Sequence, residues 1–203
     1  MKALILVDLQ NDFMPGGALA VAEGDKVVPI ANRLIKKFEL VVATQDYHPP
    51  NHKSFASQNE GIKVGDQFEL NGLPQTAWPD HCVQGTTGSE FDSRLDAKAL
   101  QHVFQKGTDP EVDSYSGFFD NGKRTATGLG DFLKAKSVNE IFVMGLATDY
   151  CVKFTAIDGA ELGFKTNLVI DGCRGVELYR GDIDRAIEEM KKAGVETVRS
   201  KWI

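Results

Sequence analysis

Short, nearly continuous apolar runs recur along the chain, and each stops at a polar residue or a glycine. Lys2-Ala3-Leu4-Ile5-Leu6-Val7 ends at Asp8, Leu40–Thr44 at Gln45-Asp46, and Val103–Gln105 at Lys106. Ile141-Phe142-Val143-Met144 ends at Gly145, and Thr166–Ile170 ends at Asp171-Gly172. Runs this short, apolar on both parities, predict strands buried on both faces. Thr197–Arg199 supplies a sixth, shorter strand. Between the runs the apolar period lengthens to that of a helix. Val27, Ala31, Leu34, Ile35 and Phe38 share one face, with Pro29 tolerated in the first turn. Leu129, Phe132 and Leu133 mark a second helix, and Val152, Ala156 and Ala160 a third. In that third helix Gly159 and Gly163 allow close packing on a sheet. Ile183, Ala186, Ile187, Met190 and Ala193 form the clearest stripe of all.

Strands alternating with helices predict an α/β fold. The expected architecture is a three-layer α/β/α arrangement around a mainly parallel, Rossmann-like six-stranded sheet. Residues 1–203 read as one domain with no internal repeat or linker. Its one irregularity is an excursion at about 45–102, rich in Gly, Pro, Asn and Asp, and connections so long are usually functional. In parallel sheets ligands bind outside the carboxyl ends of the strands, where this chain places Asp8, Asp46, Lys106 and Cys151.

Composition narrows the function classes. With 42% apolar and 26% charged residues the chain is an ordinary globular protein, and its net charge of −6 argues against nucleic-acid or acidic-membrane partners. The N-terminal apolar run stops at Asp8 with no small-residue cleavage site, so it reads as a strand rather than a signal sequence. No apolar segment is long enough to cross a bilayer. Cys82, Cys151 and Cys173 form neither an even disulfide framework nor a CxxC zinc pattern, so a reducing, cytoplasmic setting is expected. There is no G-x-G-x-x-G, no G-x-x-x-x-G-K-[ST] and no G-x-S-x-G, so dinucleotide, nucleoside-triphosphate and serine-hydrolase signals are missing.

What remains is a nucleophile, a base and a cation. Cys151 follows a strand and Gly145, in the first turn of the third helix, with Thr148 or Asp149 able to cap it. Unpaired amides and the positive end of the helix dipole favour a thiolate there. Asp8 can take the thiol proton, and Lys106 can orient the carboxylate and favour the thiolate. Singly, each has a plainer reading: an inert buried cysteine, a helix-capping aspartate, a structural ion pair. Asp46 and His48 at i and i+2 point the same way, and His81 completes a carboxylate-and-two-imidazole set suited to zinc, iron or manganese. His52 lies near enough to contribute, whereas His102, before a strand, reads as a surface residue.

The segments Val7-Asp8-Leu9-Gln10-Asn11-Asp12-Phe13, Thr44-Gln45-Asp46-Tyr47-His48-Pro49, Trp78-Pro79-Asp80-His81-Cys82-Val83, Lys106-Gly107, Asp113-Ser114-Tyr115-Ser116-Gly117-Phe118 and Gly145-Leu146-Ala147-Thr148-Asp149-Tyr150-Cys151-Val152 occur in one order. In these motifs the chain resembles the isochorismatase-like cysteine hydrolases, in particular those that deamidate nicotinamide. The resemblance implies a triad of Asp8, Lys106 and Cys151, and one divalent cation, zinc first among the candidates, on Asp46, His48 and His81. It implies an oxyanion hole from the Ala147 and Cys151 amides beside a cis Leu146–Ala147 bond, and a ring pocket lined by Phe13, Trp78 and Tyr115. It implies hydrolysis of nicotinamide to nicotinate and ammonia through a thioester, with the cation positioning the ring, and pyrazinamide as a further substrate. The partner is then a small amide, with a homo-oligomer left open. Some relatives carry a histidine where this chain has Ser54, which leaves the fourth ligand open between Ser54, His52 and water.

Overall fold

The computed structural model describes residues 1–203. Six strands form one sheet: β1 (Lys2–Val7), β2 (Leu40–Asp46), β5 (His102–Lys106), β6 (Glu140–Leu146), β7 (Lys165–Arg174) and β8 (Glu196–Val198). They lie in the order β5-β2-β1-β6-β7-β8, and every pair is parallel. Helices α1 (Val27–Ile35), α2 (Leu129–Ala135), α3 (Lys153–Glu161) and α4 (Asp182–Lys192) connect them, giving the expected α/β arrangement. The central strands are apolar because both faces are covered: Ala3 to Val7 and Ile141, Val143, Met144 and Leu146 have no measurable exposure.

The sheet grows in opposite directions from β1 and β6, so these neighbours flank the topological switch point. They approach closely where Val7 pairs with Gly145, and a Cβ on Gly145 would sit 2.1 Å from the Val7 carbonyl oxygen. Asp8 leaves β1 with φ 50°, a left-handed turn that aspartate tolerates better than most residues.

Two expectations about boundaries change. Strand β7 does not stop at Asp171-Gly172 but continues to Arg174 through a register shift, Val143 facing Leu168 and Gly145 facing Cys173. The polar residues are accommodated by that bulge, where Asp171 accepts from the Ser200 amide (2.7 Å) and hydroxyl (2.8 Å). The excursion also holds a hairpin, β3 (Gln67–Leu70) and β4 (Leu73–Thr76), turning at Asn71 (φ 49°) and Gly72 (φ 81°). Asn-Gly at two positive-φ positions is the favoured two-residue turn, so the sequence does carry a signal for this hairpin. No helix is long and apolar enough to cross a membrane.

Candidate active site

The site forms at the carboxyl edge, across the switch point. Lys106, fully buried at the end of β5, is its hub. Its Nζ lies 3.0 Å from Asp8 Oδ2 and donates to Asp46 Oδ1 (3.0 Å), the Ser114 carbonyl (2.9 Å) and Cys151 Sγ (3.4 Å). Burial alone would strip the lysine of its proton, but Asp46 and Asp8 hold its pKa well above the ordinary value. The Thr44 hydroxyl fixes Asp8 by donating to Oδ1 at 2.6 Å. Oδ2 has an ion-pair contact with Lys106 but no hydrogen bond, which leaves it free to receive a proton.

Cys151 lies, as expected, in the first turn of the helical segment that leaves β6, but that turn, Thr148–Val152, is π-helical and runs directly into α3. Neither Thr148 nor Asp149 caps it; the Asp149 carboxylate instead accepts from the Val176 (3.0 Å) and Glu177 (2.7 Å) amides. Nor is the resting thiol acidified. Burial raises its pKa well above the ordinary thiol value, with Asp8 and Asp46 adding to the rise and Lys106 opposing it. Spacing along the chain carries no information about burial, so only the dipole argument was visible in the sequence. Burial likewise raises Asp8, against the pull of Lys106. The Leu146–Ala147 peptide is cis.

Asp46, His48 and His81 converge. Both Nε2 atoms face Asp46 Oδ2, at 3.1 Å from His48 and 3.3 Å from His81. Each ring is oriented from behind, Nδ1 of His48 against the Gly107 carbonyl and Nδ1 of His81 against the Pro79 carbonyl, both at 2.8 Å. Glycine at 107 is required, since a Cβ there would lie 2.4 Å from the His48 ring. With each Nδ1 turned to a backbone carbonyl, the two Nε2 atoms and the buried Asp46 carboxylate converge as the donor set a divalent cation takes, so these residues fit one. Burial would raise the Asp46 carboxyl, but His48 and Lys106 hold it well below its usual range.

His52 and Ser54 lie outside that set. Both are buried, and the Ser54 hydroxyl is 2.7 Å from His52 Nδ1, while His52 Nε2 has no hydrogen-bond partner and groups with His48 and Asp113. The His52 ring packs 4.3 Å from that of His48, and burial lowers its pKa to about 4. His102 is exposed, as expected, but begins β5 and stacks on Phe132.

A cavity opens between the two groups, lined by Phe13, Trp78, Tyr115, Asp46, His81, Ala147 and Cys151. The Trp78 indole N–H donates to the Tyr115 hydroxyl at 3.1 Å, which locks the two aromatic walls together. Leu19, Asp113, Tyr150 and Val176 also line it and were not singled out from the sequence. Tyr150 adjoins Cys151 and Asp113 precedes Tyr115 by two, so both belong to the sequence motifs above; Leu19 and Val176 carry no signal.

A cysteine, an aspartate and a lysine at the switch point of a parallel sheet, beside a carboxylate-imidazole set, define a cysteine hydrolase of the isochorismatase type. The chain belongs to that family: the Isochorismatase domain model matches residues 2–201. It is 55% identical over 197 residues to the nicotinamidase of Escherichia coli (strain K12), covering 95% of this chain and 92% of that protein. A solved structure described as Acinetobacter baumanii nicotinamidase pyrazinamidease superposes with a TM-score of 0.96 at 42% identity, covering 98% of this chain and 96% of that one. The pyrazinamidase of Pyrococcus horikoshii, solved in complex with zinc, gives a TM-score of 0.80 at 40% identity, with 98% of each chain covered.

Proposed function

We infer that the protein is a nicotinamidase, hydrolysing nicotinamide to nicotinate and ammonia. The observation that carries this reading is buried Lys106 bridging the Asp8–Cys151 pair and the cation ligand Asp46, with Cys151 and Asp46 both lining an aromatic slot. The amide carbonyl is presented to Cys151 with its oxygen toward the Ala147 and Cys151 amides. Asp8 receives the thiol proton through Oδ2 as the sulfur–carbon bond forms, and Lys106 compensates the charge that develops on sulfur. Backbone donors aimed at the developing oxyanion are usually the largest single contribution to such catalysis. Asp8 next gives its proton to the departing ammonia, leaving an acyl-Cys151 thioester, and then takes a proton from the water that releases nicotinate.

Asp46, His48 and His81 would hold the divalent cation, with zinc the first candidate and iron or manganese alternatives. When bound it supplies a Lewis-acidic anchor for the pyridine nitrogen. Phe13, Trp78 and Tyr115 provide the flat apolar walls, and pyrazinamide, which keeps ring nitrogen and amide, fits the same slot. Two measurements test the assignment: ammonia and nicotinate released in equal amounts from nicotinamide, and a covalent adduct on Cys151 found by mass spectrometry after acid quench. Turnover without any adduct on Cys151 would contradict the thioester route, and no turnover would contradict the function.

A further inference from the structure

The slot is tight. Its free volume is about 20 Å³, room for a water and too little for a pyridine ring, so a wall must give when the substrate enters. Of the lining residues only Leu19, Tyr115, Tyr150 and Val176 are part-exposed, and these four form the mouth. Val176 belongs to the segment between β7 and α4, which contains no regular element. The far half of that segment is bonded to α4, the Tyr179 amide donating to the Asp182 carboxylate at 2.8 Å. Residues 175–178 are hydrogen-bonded to the body of the molecule at one side chain, Asp149.

Asp149 caps no helix end. Its buried carboxylate accepts from two consecutive amides, Val176 to Oδ1 (3.0 Å) and Glu177 to Oδ2 (2.7 Å). With Glu177 in the left-handed region (φ 52°), these N–H groups form a nest around the carboxylate. The contact is close, for a Cβ on Gly175 would lie 3.0 Å from Asp149 Oδ1 and 2.5 Å from Ile183. Asp149 itself stands in the turn that carries Tyr150 and Cys151. We propose that Asp149 is a positioning residue for the reaction, a latch that holds residues 175–178 down so that Val176 closes the slot over the ring. The inference rests on the nicotinamidase reading for the identity of that ring. Substrate enters when the latch opens and is held when it closes. Weakening the latch therefore depletes the binding-competent form and raises KM, while Asp8, Lys106 and Cys151 keep their mutual contacts.

The test compares wild type with Asp149→Asn, Asp149→Ala, Val176→Ala and the double alanine variant. Two quantities are read: kcat and KM for nicotinamide, and the rate at which iodoacetamide alkylates Cys151 in the resting protein, located by peptide mass mapping. Loss of hydrogen bonds to a charged group should raise both KM and the alkylation rate of Asp149→Ala by about tenfold or more. Its kcat should move less than about threefold, since only binding is lost. Val176→Ala should raise KM by itself, and adding Asp149→Ala should raise it further by less than about threefold, because both act on one wall. A merely structural role would lower kcat without speeding alkylation. An unchanged KM or alkylation rate in Asp149→Ala, a loss confined to kcat, or fully additive effects on KM would overturn the proposal. If Asp149→Ala does not fold, Asp149→Asn, which keeps one acceptor oxygen, is read on the same two quantities. Failure of the wild type to hydrolyse nicotinamide would overturn the function instead, and the alkylation rates would still decide the latch.

Discussion

The carboxyl edge of the sheet and the excursion between β2 and β5 both deliver side chains to the cavity, but they hold them differently. At the sheet edge the backbone ladder does the placing. Val7 pairs with both Thr44 and Gly145, and Asp46 pairs with Lys106, so the positions of Asp8, Thr44, Asp46 and Lys106 follow from strand register. In the excursion, two isolated bridges, His48 with Val83 and Phe55 with Trp78, are the only strand-like anchors near the ligands. Backbone bonds within these bridges, such as His48 N–H to the Cys82 carbonyl (3.0 Å) and Trp78 N–H to the Ser54 carbonyl (2.9 Å), are joined by side chains reaching in from the loop after β1. Gln10, fully buried, donates to the Asp46 and Ser89 carbonyls (2.7 and 2.9 Å) and accepts from the Asp46 amide (2.8 Å). Asp12 accepts from the amide of Cys82 (2.7 Å), the residue after His81, which has φ 46°. In the proposed reaction the chemistry thus stands on the sheet edge, and ring recognition draws on Asp46 at that edge together with the clamped loops.

The largest expected effect lies at the sheet edge. Cys151→Ala should lose at least about 10⁴-fold in kcat, as removal of a nucleophile typically does. Cys82→Ala and Cys173→Ala should keep most activity, since neither side chain lines the cavity. Steady-state rates with far-ultraviolet circular dichroism on each variant check this, and near-normal hydrolysis by Cys151→Ala would remove the sheet edge from the chemistry. Next, Asp8→Asn should lower kcat by roughly 10²–10⁴-fold, the range for a lost general acid–base, with bound metal unchanged by elemental analysis. A rate within about threefold of wild type would assign the base elsewhere. The smaller effect belongs to the clamp. Gln10→Ala should weaken cation binding by about 10- to 100-fold, as second-sphere losses do, when the metal-free protein is titrated calorimetrically. If the variant binds the cation as wild type does, the loops are held by something other than Gln10.

Legibility in the sequence follows the same division. Lys2–Val7 and Ile141–Met144 announce themselves because a strand covered on both faces must be apolar throughout, and their polar ends mark the site. The hairpin at Asn71-Gly72 is harder to see, for its strands are short, largely polar and interrupted by Pro74. Strand β7 hides its last residues for the opposite reason, since Asp171 and Gly172 look like a turn until Ser200 and Met144 are packed against them. Gln10 and Asp12 act across 36 and 70 residues, a reach that no local pattern encodes. The thiol illustrates the limit most clearly: helix position argued for acidity, whereas burial among carboxylates, a property of the folded site, decides the opposite.

If the sheet edge performs the chemistry and the excursion reads the ring, the two functions should separate on removal of the cation. The direct measurement is kcat/KM for nicotinamide and for benzamide, which lacks the ring nitrogen, before and after chelation, repeated with His81→Ala. Benzamide should be the poorer substrate of the intact enzyme, and chelation should depress nicotinamide far more, bringing the two together. The His81→Ala variant should behave as chelated wild type does. An equal loss for both amides would mean that the cation takes part in bond breaking or holds the fold, and would contradict the division of labour between the two regions.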